Sequence, residues 1–352
     1  MKPSPRQTER AAFISRRTIA RPVALRVGVI GVGAMGQNHL RVLSDIADLV
    51  GVADPDVHVG QAASKRFSIP HFEDHRELLK EELDAVSVCV PTTHHAPVAL
   101  DAIGAGVHLL VEKPLASSVE EAETIVRAAD RAGVVLAVGH VERHNPTVAA
   151  VKRHLDTGQY GDLITASTRR VSSFPTRVRD VGVIMDLGVH DIDILRYLVG
   201  SPVESVYSLS GRKMHELFED HATLLLRFEN GVDGFVEVNW LTPMKVRRLA
   251  LTCLKHFVEV DYIEQSITVS SSTLGQLDPF NLYQVPLEHH AQRIHVRKEE
   301  PLRLELEDFL AAVQGKRKPL VSGGDAVQTL RVVEAAVVSY REDRVVRITD
   351  MG

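Results

Sequence analysis

Residues 25–36 read LRVGVIGVGAMG, and few folds accommodate such a stretch. Leu25, Val27, Val29 and Ile30 form a short apolar run, as a strand buried on both faces of a parallel sheet requires. Gly31, Gly33 and Gly36 follow at GxGxxG spacing, and a helical pattern continues through residues 39–43. Each glycine has its own use. Gly31 permits a tight turn off the strand, Gly33 lets a pyrophosphate approach the backbone, and Gly36 lets helix and strand pack closely. The helix N-terminus then offers unpaired N–H groups and a positive dipole end to phosphates. A second apolar run over 49–53 ends at Asp54, where a dinucleotide fingerprint places an acid for the ribose hydroxyls, about 20 residues on. A carboxylate there favours NAD, because a 2′-phosphate would face a like charge.

The rest of the first half alternates helix and strand. Helical patterns cover 61–67, 76–82, 98–104 and 119–132, the last capped by Ser117 or Ser118. Strand patterns cover 71–72, 85–90, 107–111 and 134–138. This predicts a doubly wound parallel sheet, whose ligands lie outside the carboxyl ends of its strands. Asp54, His95, Lys113 and His140 each follow a strand end, so they should border one crevice.

The character changes from about Thr147. A helix over 147–155 leads to a strand over 163–171, an arginine-rich loop over 172–180 and a strong helix over 183–199. Strands over 222–228 and 232–240 flank Glu229-Asn230-Gly231, a hairpin signal. Further strands cover 248–254, 257–262 and 266–270, and helices cover 301–314 and 326–340. This half reads as an α+β domain with a large, mostly antiparallel sheet and helices on one face. The other face is left for a second subunit, which predicts a homodimer or homotetramer. The expected division is a basic arm over 1–23, a nucleotide-binding domain over 24–146 and a second domain over 147–352.

Composition excludes several classes. A net charge of −5 gives nucleic acid no electrostatic foothold, and no apolar run reaches the length of a membrane span. Cys89 and Cys253 sit in separate apolar runs, as buried thiols of a reducing compartment do. Residues 1–23 carry Lys2, Arg6, Arg10, Arg16, Arg17 and Arg21 against Glu9, with no apolar core of a signal peptide, so a cytoplasmic location is expected. His71 and His75 are four apart, as are His140 and His144, but neither pair has HExxH form, so no metal is expected. His39 reads as a packing or polar-contact residue.

Chemistry concentrates in the stretch MDLGVHDIDILRYL. Asp186 and His190 are four apart and so share a face of an α-helix, where the carboxylate can orient the imidazole and raise its basicity. Such a pair suits removal of a proton from a hydroxyl, and Lys113 at its strand end is the other candidate base.

These residues resemble the Gfo/Idh/MocA family of nicotinamide-dependent sugar oxidoreductases over residues 25–345. The shared motifs are GVIGVGAMGQNH (28–39), VADPD (52–56), VPTTHHAPVAL (90–100), VEKPLA (111–116) and MDLGVHDID (185–193). The resemblance implies a Rossmann domain, NAD held by Gly31, Gly33, Ala34, Met35, Gly36, Asp54, Pro91, Thr92, His95, Glu112 and Lys113, and catalysis by Lys113, Asp186 and His190. The stretches VGHVERHNP (138–146) and FPTRVRDVGVIMDLGVHD (174–191) look like the members acting on nucleotide-linked amino sugars, with His144 where an aromatic is usual. That implies oxidation of the C3 hydroxyl of UDP-N-acetylglucosamine. Arg143, Arg177 and Arg179 would meet the diphosphate, and Asn145 and His190 the sugar. The competing readings are a dehydrogenase of a free polyol such as inositol, one of a uronic-acid sugar nucleotide, and an NAD-binding sensor without turnover. Having Lys113, Asp186 and His190 together argues against the sensor.

Overall fold

A computed structural model describes residues 24–175, 181–274 and 287–351. The first sheet holds six parallel strands: β1 (Arg26–Ile30), β2 (Asp48–Ala53), β3 (His71–Phe72), β4 (Ala85–Val88), β5 (His108–Glu112) and β6 (Leu136–Gly139). Their order is β3-β2-β1-β4-β5-β6. The order reverses between β1 and β4, so the crevice opens at their carboxyl ends. The connecting helices are α1 (Ala34–Ile46), α2 (Val57–Phe67), α3 (His75–Leu78), α4 (His95–Gly104) and α5 (Val119–Ala132). Local chemistry sets their ends. Asp56 accepts the His58 and Val59 N–H groups, so α2 begins at Val57, four residues before its apolar periodicity starts. Ser118 caps α5, which stops at Gly133 with φ +67°. The stretch read as a helix over 76–82 is a single turn.

After α6 (Pro146–Asp156) and β7 (Leu163–Val171) comes one wide π turn, Ile184–Gly188, continuous with α7 (Val189–Val199). The strands β8 (Val203–Gly211), β9 (His221–Phe228), β10 (Asp233–Asn239), β11 (Val246–Cys253), β12 (Phe257–Asp261), β13 (Ser266–Leu274) and β14 (Leu287–Ile294) follow. The helices α8 (Pro301–Val313) and α9 (Gly323–Glu342) and the two-residue β15 (Val346–Arg347) complete the set. The second sheet runs β14-β13-β12-β11-β7-β10-β9-β8-β15 and is antiparallel except where β10 lies beside β7. Gly231, at φ +86°, closes the β9–β10 hairpin where the dipeptide signal placed it. The strands β8, β14 and β15 escape the sequence reading: β8 is serine-rich, β14 is mostly polar and β15 is too short to show a period.

Helices α7 and α9 cover one face of this sheet. On β9 the inward Ala222, Leu224, Leu226 and Phe228 are buried, while Leu225 on the opposite face is 41% exposed. Ile164, Phe235 and Phe257 are likewise exposed, and Phe235 pairs with Leu225 across the strands. Among the described residues no helix is long and apolar enough to cross a membrane.

The two halves are not joined only by the chain that links them. Helix α8 follows the second sheet in sequence, yet its Leu302, Leu306, Phe309 and Leu310 pack with Val27, Val29, Leu40 and Leu110 of the nucleotide half. Their helical spacing makes the stripe that buries there. Fully buried side chains of this size stabilise by roughly 1.5–3 kcal/mol each, so α8 fastens the second half onto the first. The apolar core thus runs from one half of the chain into the other.

Candidate active site

In the loop after β1 each glycine meets different surroundings. Gly31 sits at φ +85°, and a Cβ there would lie 2.8 Å from the Cys89 and Val90 backbone. A Cβ on Gly36 would lie 2.0 Å from the Gly31 carbonyl oxygen, so only glycine lets α1 start against the loop. Around Gly33 nothing lies within 4 Å of the Cβ position, which leaves room for a phosphate group. No side chain caps α1 and its first turn carries no acid, so the N–H groups near Ala34 and Met35 face that space unopposed. Asp54 accepts the Val32 N–H at 2.8 Å and the Asp56 N–H at 2.9 Å. The carboxylate therefore braces the glycine loop. These residues fit a dinucleotide. Asp54→Ser should lower the preference for NAD over NADP by at least about tenfold, or ~1.4 kcal/mol. An unchanged ratio of the two dissociation constants would show that the ribose is read elsewhere.

Past the end of β4, Pro91 and Thr92 reach the surface, Pro91 exposed and Thr92 half-buried. His95 does not: it is 1% exposed, and its two ring nitrogens lie 2.7 Å from the Pro114 carbonyl and 2.9 Å from that of Val90. It ties the two strand-end loops together and has no ring nitrogen left for a ligand. Glu112 also turns inward, 2.9 Å from His39 Nε2, while Ser87 Oγ takes His39 Nδ1 at 2.7 Å. Its carboxylate belongs to the core beneath the cofactor crevice. Glu305 of α8 joins this group: a ring nitrogen of His39 and one carboxylate oxygen each of Glu112 and Glu305 lie within 4.8 Å of one another, a spacing that could hold a metal ion. Burial favours a neutral His39, but Cys89 and Glu112 raise its pKa well above the ordinary value. Burial, then the Glu112 charge, pushes Glu305 well above the carboxylate range, and both its oxygens lack partners. His39 and Glu112 thus form an internal ion pair beside a neutral acid.

Lys113 reaches across from β5 to the second half. Its Nζ donates to the Asp186 carbonyl at 2.8 Å and to Asp186 Oδ1 at 3.1 Å, with both side chains only about one-sixth exposed (16% and 15%). The expected Asp186–His190 pair does not form. Asp186 lies within the π turn, where the helix is wider than 3.6 residues per turn, so a residue four on falls short of a full revolution. The carboxylate turns to Lys113, and Nδ1 of His190 is buried with no hydrogen-bond partner. Burial, then the charges of Lys113, Arg170 and Arg247, drives the His190 pKa well below its ordinary value. The imidazole is therefore neutral at neutral pH, opposite to the raised basicity that the spacing implied.

Two residues expected on the substrate are committed elsewhere. Arg143 is 4% exposed and forms a bidentate pair with Asp193, at 2.8 and 2.7 Å. Asn145 is 2% exposed and caps α6, accepting the Thr147 N–H and hydroxyl. Its position directly before Pro146 is a helix-start signature that identifies a cap. Arg177 and Arg179 lie outside the described residues. A second buried network is the one not foreseen. Arg170, 2% exposed, pairs with Asp191 at 2.8 Å and with Glu142 at 2.9 Å, and Arg247 shares that same Glu142 oxygen at 3.3 Å. The signal was present in β7, where Arg170 keeps the inward phase of Ala166 and Thr168 while Arg169 points out. His140 lies fully buried, Nδ1 3.8 Å from Asp193, both ring nitrogens unpartnered, its pKa lowered by burial.

Comparison with known proteins fits this geometry. Residues 25–140 match the model described as oxidoreductase family, NAD-binding Rossmann fold, and residues 148–258 match the GFO/IDH/MocA C-terminal domain. A UDP-N-acetylglucosamine 3-dehydrogenase of Acidithiobacillus ferrooxidans is 29% identical over 315 residues, 90% of this chain and 96% of that one. A scyllo-inositol 2-dehydrogenase (NAD(+)) of Bacillus subtilis is also 29% identical, over 92% of this chain and 96% of its own. A solved structure of the Acidithiobacillus ferrooxidans enzyme aligns with a TM-score of 0.82 at 27% identity, covering 90% of this chain and 98% of that one.

Proposed function

The chain belongs to the Gfo/Idh/MocA oxidoreductases, and on that premise we propose that it oxidises the C3 hydroxyl of UDP-N-acetylglucosamine to the 3-keto sugar with NAD. The observation that carries a dehydrogenase site is the contact of Lys113 Nζ with Asp186 at 2.8 Å, which brings an ammonium from the nucleotide half to the helix that bears His190. Bound NAD supplies the hydride acceptor. Held in place by Asp186, Lys113 Nζ donates a hydrogen bond to the reacting oxygen and stabilises charge that develops there. His190, neutral and beside it, takes the hydroxyl proton. The hydroxyl proton leaves on the imidazole, and NAD, held at the glycine loop and the start of α1, would take the hydride that balances it.

What supports the nucleotide sugar is the likeness, over nine-tenths of the chain, to an enzyme of that name. A polyol is the second reading, supported by the inositol dehydrogenase aligned over a similar span. Incubation with NAD and a carbonyl trap separates them. NADH formed from UDP-N-acetylglucosamine, and not from inositols or a uronic-acid sugar nucleotide, is the expected result. Turnover of inositol alone would sink the proposal.

The open face of the second sheet is read as a contact between copies of this chain, because Leu225 and Phe235 stand paired and exposed on it. Phe235→Glu should then lower the sedimenting mass, and a wild-type monomer would contradict the reading.

A further inference from the structure

Arg143 and Asn145 are spent on the fold, so a charged substrate needs other cations. The sheet supplies them. Arg247 on β11 is the register partner of Arg170 on β7, and cross-strand partners point to the same side. Arg170 faces α7, where it holds Asp191, so Arg247 faces α7 as well. Lys245 stands just before β11, close enough that the Arg247 charge, then burial and Arg170, lowers its pKa. Like charges placed directly opposite repel, and here only one carboxylate oxygen, Glu142 Oε1, lies between the two guanidiniums, at 2.9 and 3.3 Å. Arg170 uses all three of its nitrogens on Asp191 and Glu142, whereas Arg247 makes this single side-chain contact and keeps 34% of its side chain exposed. Lys245 is exposed and has no ion-pair partner among the described residues. Arg170 and Arg247 thus share Asp191 and Glu142 as their carboxylate contacts on this wall, and Lys245 has none. Arg170 binds Asp191, the residue next to His190, and Arg247 is among the charges that lower the His190 pKa, so this wall borders the reacting centre.

We propose that Arg247 and Lys245 form the subsite for the diphosphate of a nucleotide-linked substrate. This rests on the nucleotide-sugar reading above and names the residues that enforce it. A guanidinium with its fork largely unused matches a phosphate edge in a bidentate manner, and the neighbouring ammonium adds a point charge for the second phosphate. The cofactor's own pyrophosphate is met elsewhere, at Gly33 and the start of α1. The subsite also accounts for discrimination against neutral polyols. A polyol leaves the cations with no new partner, whereas a diphosphate neutralises them.

The NADH-loaded protein tests this by calorimetric titration with UDP, uridine and glucuronate. UDP should bind wild type far more tightly than uridine. In the Arg247→Gln, Lys245→Gln double variant the UDP affinity should fall about 10- to 100-fold, the worth of lost charged hydrogen bonds. Uridine and NADH affinities should hold, which also reports that the variant is folded. Equal UDP affinity in wild type and variant, or no UDP binding to wild type, overturns the subsite. So does a loss of glucuronate binding with UDP unaffected, which would assign the cations to a sugar carboxylate. If UDP-N-acetylglucosamine is not oxidised but UDP binding still depends on these residues, the subsite stands and the choice of sugar fails alone.

Discussion

Lys113→Met should lower kcat/KM for alcohol oxidation by about a thousandfold or more, ~4 kcal/mol of transition-state stabilisation. NADH affinity should change by less than about threefold. Methionine keeps most of the lysine stem, so packing at the end of β5 is preserved and only the ammonium is lost. The asymmetry between turnover and cofactor binding follows from where the ammonium points. Both atoms it meets, the Asp186 carbonyl and Oδ1, belong to the second half of the chain. Asp186 left alone costs little stability, because its side chain retains some contact with solvent at 15% exposure. A loss below tenfold, or an equal loss of NADH binding, would remove Lys113 from the reaction.

The residual rate of that variant carries a second signature. Burial is the first cause of the depressed His190 pKa, and the Lys113 charge is the next. A base must be neutral to act, so the acid limb of the wild-type pH–rate profile should lie below the ordinary histidine value of about 6.5. Removing the ammonium lets the His190 pKa rise, and the limb should move to higher pH. A limb that stays in place would show that another group accepts the proton.

What the sequence makes legible here is what the backbone itself demands. Gly31 and Gly36 are readable because a Cβ at either position collides with main chain, and Asp54 because its place follows from the β1–α1–β2 unit. Lys113 is readable as a strand-end residue in the same way. The reading fails where one residue type serves two environments. An arginine in a loop stretch and one folded into the core look alike, so Arg143 is read as a ligand and Arg170 passes unremarked. Their partners, Asp193 and Asp191, lie two residues apart in α7 and are buried by tertiary packing that the helical period does not encode. The Asp186–His190 spacing misleads for a local reason: a four-residue interval marks a shared face only in a regular α-helix, and the π turn over Ile184–Gly188 breaks that regularity. That departure moves the carboxylate from the imidazole to the ammonium, and so changes which group is charged at the site.

Arg170→Met should destabilise the fold by about 3–5 kcal/mol at neutral pH, read by chemical denaturation. Methionine fills a similar volume, so the loss is electrostatic. Asp191 and Glu142 are both buried, and Arg170 supplies Asp191 with both its ion-pair contacts, at 2.8 and 3.3 Å. Glu142 keeps Arg247 and Asn145, whereas Asp191 is left with a desolvated charge. Burial already raises the Asp191 pKa against the pull of Arg170, and loss of the guanidinium raises it further. The folded variant then holds a proton that the unfolded chain releases near an ordinary pKa of about 3.9. Its stability is present below that value and falls as pH rises toward the folded pKa, so the deficit relative to wild type should be larger at about pH 8 than at about pH 5. A deficit below about 1 kcal/mol, or one that does not grow with pH, would mean that water or another donor satisfies Asp191. The same substitution removes one of the cations that depress His190, so the acid limb of its rate profile should shift upward as it does for Lys113→Met. Stability and proton transfer are thus coupled through one guanidinium that touches neither the cofactor cradle nor the reacting carbon.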